Sequence, residues 1–142
     1  MLKKQLSQVN HLMQGIEKVY EDYAKSVGLT YMSLTVLQII YYAENSCTQK
    51  EICELSHYNK QIVNSIIKGF YDKGYLRLKE AVADRRNKYV MLSAGGKRYA
   101  DNILMPLWEI EEKALTVLSD SEREKLVEML ERCYEGYLSA GK

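Results

Sequence analysis

TQKEICELSHYNKQIVNSIIKGFYDKGYLRL, residues 48–78, is the stretch whose reading decides the fold. Thr48 and Glu51 stand three positions apart. At that spacing a threonine hydroxyl caps a helix start and a glutamate reaches back to the cap's own amide. The helix they open is short and ends near Leu55. Asn59 then caps a second helix that runs to about Lys73, where Gly74 stops it. At about 100° per residue the second helix separates into two faces. Ile62, Val63, Ile66, Ile67 and Phe70 point one way; Gln61, Asn64, Ser65 and Lys68 point the other. A short capped helix, a brief turn and a second helix with an apolar back form a helix-turn-helix.

Working outward, YLRLKE (75–80) and KYVML (88–92) alternate as half-buried strands do. The turn region between them holds Ala83, Asp84, Arg85 and Arg86, and Lys88 follows. A two-stranded hairpin is weak alone, so this one must lean on the helices before it. A hairpin directly after a recognition helix is a wing, and its basic tip would reach the adjacent minor groove or phosphates. Upstream, Leu2, Leu6, Val9, Met13, Ile16, Tyr20, Tyr23 and Val27 keep a heptad spacing on one long helix that Gly28 ends. Residues 31–44 read as a mostly buried helix with Leu34, Leu37, Ile40 and Tyr41 on one face. Downstream, Ser93 caps a long helix past Pro106 and Trp108 to about Leu118. Ser119 and Glu122 form another capping box, opening a last helix with Leu126, Leu130, Tyr134 and Tyr137 inward. The expected class is mainly α with a small β-hairpin: a winged helix-turn-helix with flanking dimerisation helices.

The chain has 142 residues, 46% of them hydrophobic and 27% charged, which is the composition of one globular domain rather than a disordered chain. The net charge of +1 conceals a gradient. Residues 57–98 carry ten basic and three acidic groups, whereas residues 99–142 carry five basic and ten acidic. A basic middle suits a polyanion. The plainer reading is a solvated charged face. No apolar run is long enough to cross a bilayer, and the first residues lack the apolar core of a signal peptide. A cytoplasmic, membrane-free protein is expected. Cys47, Cys53 and Cys133 are an odd number without scaffold spacing, as free thiols in a reducing compartment would be.

The outward face of the second helix carries amide side chains that can read adenine and a lysine that can reach guanine or phosphate. Together with DRRNKYVMLSAGG (84–96), the opening stretch resembles the MarR family of winged helix-turn-helix transcriptional regulators. That family's wing pattern is matched by Asp84, Arg86, Val90, Leu92, Ser93 and Gly96, and the likeness extends over nearly the whole chain. Gly69, late in the recognition helix, and a wing tip without proline or extra glycine are departures. The resemblance implies one domain over 1–142. Within it, 1–29 is an N-terminal dimerisation helix, 30–98 the winged lobe and 99–142 the C-terminal dimerisation helices. It also implies roles. Lys60, Gln61, Asn64, Ser65 and Lys68 face the major groove, and Thr48 and Gln49 a phosphate. Arg86 enters the minor groove, oriented by Asp84, with Arg85 and Lys88 beside it. The implied partners are a second copy of the chain and a double-stranded operator, on which the dimer acts as a repressor.

Other chemistries find little support. The two histidines, His11 and His57, lie in different elements, and no serine or cysteine sits in a nucleophile setting, so no enzyme is expected. GGK at 95–97 departs from a phosphate loop at Met91 and Arg98. No metal or other cofactor is expected, because Cys47 and Cys53 have no zinc spacing. Cys47 precedes a helix start, which could lower its pKa and admit release by an oxidant. The plainer reading makes Cys53 and Cys133 small core residues and Cys47 incidental. Tyrosine is in excess, twelve against one Phe and one Trp. In the family the resemblance names, a cleft takes small aromatic or phenolic ligands, and Tyr20, Tyr23, Tyr31 and Tyr41 would suit one. Packing of a dimer core is the plainer role for the same residues. The rival from another class is a winged-helix protein-interaction module without sequence-specific DNA binding. It should show apolar residues where Gln61, Asn64, Ser65 and Lys68 stand.

Overall fold

The computed structural model describes residues 1–44, 46–80 and 87–142. Six helices and three strands follow in the order α1 (Leu2–Ser26), α2 (Tyr31–Tyr42), β1 (Cys47–Thr48), α3 (Gln49–Ser56), α4 (Lys60–Asp72), β2 (Leu76–Glu80), β3 (Lys88–Leu92), α5 (Ala94–Leu115) and α6 (Asp120–Ala140). This is a mainly helical winged helix-turn-helix, as the sequence led one to expect, with one addition. The wing is a three-stranded antiparallel sheet in the order β1-β3-β2, not a bare hairpin. β1 pairs Cys47 with Val90 and Thr48 with Tyr89. Two residues carry no alternation that a sequence pattern could reveal, so only the pairing identifies this strand. β2 meets β3 from Leu76 opposite Leu92 to Glu80 opposite Lys88.

The described chain forms two compact units, Met1–Met105 and Pro106–Lys142. In the first, α2 supplies Leu34, Val36 and Leu37 to a core shared with Ile52 of α3, Val63, Ile67 and Phe70 of α4, and Val90 of β3, all buried. Each fully buried aliphatic side chain of this kind contributes about 1.5–3 kcal/mol. Helix ends are closed as the sequence signals. Thr30, Thr48 and Asn59 each accept the backbone N–H three residues on, and Thr48 forms the full capping box with Glu51. Gly28 and Gly74 take φ of +77° and +80° after α1 and α4. At Gly74 the amide donates to Tyr71 and the next amide, of Tyr75, donates to Phe70. That is a Schellman closure, which needs a left-handed residue and so favours glycine.

Over the first half of α1 the heptad seam stays exposed in the single chain: Leu6, Val9, Met13 and Ile16 are 47–61% exposed. In the second unit, Ser119 and Glu122 form their capping box, and the Arg123 guanidinium donates to the Leu118 carbonyl and pairs with Asp120. α5 ends at Leu115, a little earlier than expected. Leu130, Tyr134 and Tyr137 belong to the face of α6 expected to be inward. All three are exposed in the single chain, because a periodic stripe specifies that a helix has an apolar face and not what covers it.

Candidate nucleic-acid interface

Helices α3 and α4 are joined by three residues, and His57 takes the left-handed conformation there, at φ 60°. Its amide donates to the Cys53 carbonyl, and Asn59 then starts α4. The apolar stripe of α4 buries Val63, Ile67 and Phe70, so its opposite face is forced outward. Lys60, Gln61, Asn64, Ser65 and Lys68 are all exposed.

A groove of about 350 Å³ runs between this helix and the wing. Gln49 of α3, Lys60, Asn64 and Lys68 of α4, and Lys88 of β3 line it, with Ile67, Tyr71 and Leu78 also on its walls. Five of the expected contact residues, from three elements, thus share one cleft. Gln61 and Ser65 lie on the exposed face of α4 but are not among the groove's lining residues. Lys68 stands 3.8 Å from Asp72, an exposed pair that costs little to open. Thr48 is 8% exposed, and its hydroxyl serves the cap, accepting from the Glu51 amide and donating to the Glu51 carboxylate. Asp84, Arg85 and Arg86 lie outside the described residues.

Two hydrogen bonds brace the groove, and neither was foreseen. The Gln49 side-chain amide donates to Asn64 Oδ1 at 3.0 Å, tying α3 to the exposed face of α4. Asn87 Oδ1 accepts the backbone N–H of Lys50 at 3.3 Å, tying the base of the wing to the first turn of α3. That amide is one of the unpaired donors at a helix start. Asn87 sits beside the basic run, and nothing in its spacing marks it as a cap for a helix 37 residues earlier.

A third connection holds α4 against α5. The Ser93 hydroxyl donates to the Gly74 carbonyl at 2.6 Å and accepts from the Gly96 amide at 3.0 Å, and the Ser93 amide donates to the Tyr75 carbonyl at 2.9 Å. The rings of Tyr75 and Tyr99 stack with centroids 4.1 Å apart. Gly96 therefore serves close packing against the Tyr75 backbone.

The tyrosines are spent largely within the chain. Tyr20 and Tyr31 stack with centroids 6.0 Å apart. The Tyr23 hydroxyl donates to the Ile103 carbonyl. The Tyr41 hydroxyl donates to Asp101 at 2.6 Å, and the Lys97 ammonium lies 5.1 Å from the Tyr41 ring centroid and 3.4 Å from the same carboxylate. The bond to Asp101, then burial and the carboxylate's charge, push the Tyr41 phenol up to about 12. Asp101 is held below the ordinary carboxylate value by its bonds to Tyr41 and Lys97. A hollow of about 910 Å³ beside α2 and α3 is lined by Tyr42 and by none of these four tyrosines.

The cysteines exchange the roles expected of them. Cys47 is 3% exposed and burial, with the nearby Glu51 charge, pushes its thiol up to about 11. The expectation of an activated thiol at a helix start is corrected: strand pairing carries Cys47 into the core, and desolvation opposes the thiolate. Cys53 is half-buried, and Cys133 is exposed rather than core. Among the described residues, no group of three His, Cys, Asp or Glu side chains could hold a metal ion, and no helix is long and apolar enough to cross a membrane.

A model of the MarR family matches residues 27–87. No curated protein matches the chain in sequence. Among solved structures, a MarR family regulator from Neisseria meningitidis aligns with a TM-score of 0.81 and 27% identity, over 97% of this chain and 99% of that one. MepR of S. aureus in its DNA-binding conformation aligns with a TM-score of 0.77 and 16% identity, over 96% and 98% of the two chains. The MepR–DNA complex aligns at 0.71 and 17%, over 89% and 96%. The two MepR likenesses are likenesses of fold.

Proposed function

We propose that this chain, which a MarR family model matches over residues 27–87 and which aligns with a MarR family regulator at 27% identity, is a MarR-type sequence-specific repressor that binds double-stranded DNA as a homodimer on a pseudo-palindromic operator. The observation that carries this reading is the groove in which Gln49, Lys60, Asn64, Lys68 and Lys88 meet. Three ammonium groups and two side-chain amides around one cleft match what duplex DNA offers, a phosphate lattice and polar base edges. A protein-interaction module would need an apolar outer face on α4, and Gln61, Asn64, Ser65 and Lys68 make that face polar. MepR, similar in fold, is one whose DNA complex is known.

The exposed seam of α1 and the exposed apolar residues of α6 support the dimer. Uncovered apolar stripes of this length are costly in water, and a second copy is the partner always present at equal concentration. Two recognition helices related by a twofold axis would then read half-sites about 34 Å apart. Arg85 and Arg86, which the sequence resemblance counts with Asp84 among the DNA contacts, are assigned to the adjacent minor groove. A small aromatic or phenolic effector is not required by this reading, since the hydroxyls of Tyr23 and Tyr41 serve bonds within the chain.

The test is binding of the purified protein to duplex DNA from its own upstream region, against random duplex, across a salt series. Preferred binding to the upstream duplex that weakens steeply with salt is expected, and Lys88→Ala should lower the salt slope by about 1. No binding to either duplex at low salt would overturn the reading and leave the interaction module in its place.

A further inference from the structure

The bond between Gln49 and Asn64 bears on which base the recognition helix selects, an inference that rests on the DNA-binding reading above. An asparagine reads adenine with both ends of its amide, Nδ2 donating to N7 while Oδ1 accepts from the N6 amino group. That two-point contact needs Oδ1 directed at the base. Here Oδ1 is directed at Gln49, whose Nε2 donates to it at 3.0 Å. Gln49 is not loosely placed. It is the first residue of α3, inside the capping box that Thr48 and Glu51 form. The same turn of α3 is clamped to the wing through Asn87.

With Oδ1 held towards Gln49 through one of its two lone pairs, Asn64 has its two Nδ2 protons to offer the groove. Lys60, Lys68 and Lys88 on the walls are donors only, and they outnumber the Tyr71 hydroxyl and the Gln49 Oε1, which can accept. A donor surface is matched by a base edge made of acceptors, and guanine, with N7 and O6, is that edge in the major groove. Adenine, with one acceptor and one donor, is not. We propose that Gln49 is a specificity-determining residue that acts through Asn64: by holding the Asn64 carbonyl it makes Asn64 a donor and selects guanine over adenine at the base pair Asn64 faces. In this role Gln49 orients another side chain; the family resemblance had assigned it to a phosphate.

The polarity can be reversed by substitution. Gln49→Ala releases the Asn64 amide to take either orientation. Gln49→Glu provides only acceptors, so Asn64 must turn Nδ2 towards it and present Oδ1 to the base. The Oδ1 end suits the amino groups of adenine N6 or cytosine N4.

The experiment is selection of bound duplexes from a randomised pool by the full chain, followed by sequencing, for wild type, Asn64→Ala, Gln49→Ala and Gln49→Glu, with a thermal melt of each. Asn64→Ala identifies the position by abolishing preference there. At that position wild type should favour guanine over adenine by roughly fivefold or more. Gln49→Ala should bring the two within about twofold, and Gln49→Glu should favour adenine or cytosine. All four melts should coincide, because the bond is exposed. The proposal is overturned if wild type favours adenine there, if the Gln49 variants keep the wild-type preference, or if Asn64→Ala changes none. It is equally overturned if Gln49→Ala weakens binding evenly across sequences with the salt slope unchanged, as the loss of a neutral phosphate contact would. Absence of any preferred sequence for wild type would remove the sequence-reading function itself, which separates the two failures.

Discussion

A Cβ on Gly96 would lie 1.9 Å from the carbonyl oxygen of Tyr75 and 2.7 Å from its carbonyl carbon. The first turn of α5 therefore rests directly on the backbone that follows the recognition helix. Ser93 makes the accompanying hydrogen bonds, to Gly74 and Tyr75. What reads in sequence as a serine followed three residues later by glycine is a clasp between α4 and α5. It fixes where the recognition helix ends relative to the long helix that leaves the winged lobe.

Gly96→Ala should accordingly destabilise the protein by about 3 kcal/mol, because the obstructing atoms are backbone and cannot rotate away. A drop in Tm of about 10 °C is the expected reading. Gly69→Ala is the control: nothing lies within 4 Å of a Cβ there, and removing a mid-helix glycine should raise stability by up to about 1 kcal/mol. If Gly96→Ala melts with wild type, the close approach is not present in solution.

The bond from Tyr41 to Asp101 predicts an alkaline signature. The folded phenol is raised to about 12 from an ordinary 10.0, so the native state keeps the proton where the unfolded chain has lost it. The stabilisation is complete below pH 10 and is lost as pH rises towards 12. Denaturant titrations of wild type and Tyr41→Phe at several pH values check this. Wild type should be the more stable at neutral pH and the difference should shrink above pH 10. A constant difference across that window would show that the hydroxyl is not bonded to the carboxylate.

Met13→Glu combined with Ile16→Glu should break the proposed homodimer while sparing the core of the winged lobe, since both side chains are exposed in the single chain. Placing two carboxylates in an apolar interface should weaken association by roughly 100-fold or more. Sedimentation would show the mass halved, and operator affinity should fall with it. An unchanged mass would place the dimer contact elsewhere.

The cysteines should react in an order set by burial. A thiol raised to about 11 has about 100-fold less thiolate at neutral pH than one at the ordinary 9.0. Native protein treated with a thiol reagent should be modified at exposed Cys133 first, and Cys47 only on unfolding. Mass spectrometry of the modified peptides decides it; rapid labelling of native Cys47 would restore the oxidant-sensing reading.

Much of this protein was legible in its sequence because the deciding signals are short-ranged. The capping boxes at Thr48 and Ser119, the Asn59 cap and the glycines at 28 and 74 act within a few residues, so their chemistry is written where the helices begin and end. The two faces of α4 follow from a helical period acting on Ile62, Val63, Ile66, Ile67 and Phe70 against Gln61, Asn64, Ser65 and Lys68. From this the sequence by itself determined the helix order, the helix-turn-helix and the outward face. The remaining features join residues far apart in the chain, and packing had to bring them together. β1 exists only because Cys47 and Thr48 reach Val90 and Tyr89, and the same pairing buries the thiol that looked reactive. Tyr41 meets Asp101 across 60 residues, Lys50 meets Asn87 across 37, and Gln49 meets Asn64 across 15. A hydrogen bond requires its partners within about 3 Å in the right direction. No local pattern encodes such a meeting between separate elements, so these ties, and the polarity they impose on the groove, were decided by the tertiary structure alone.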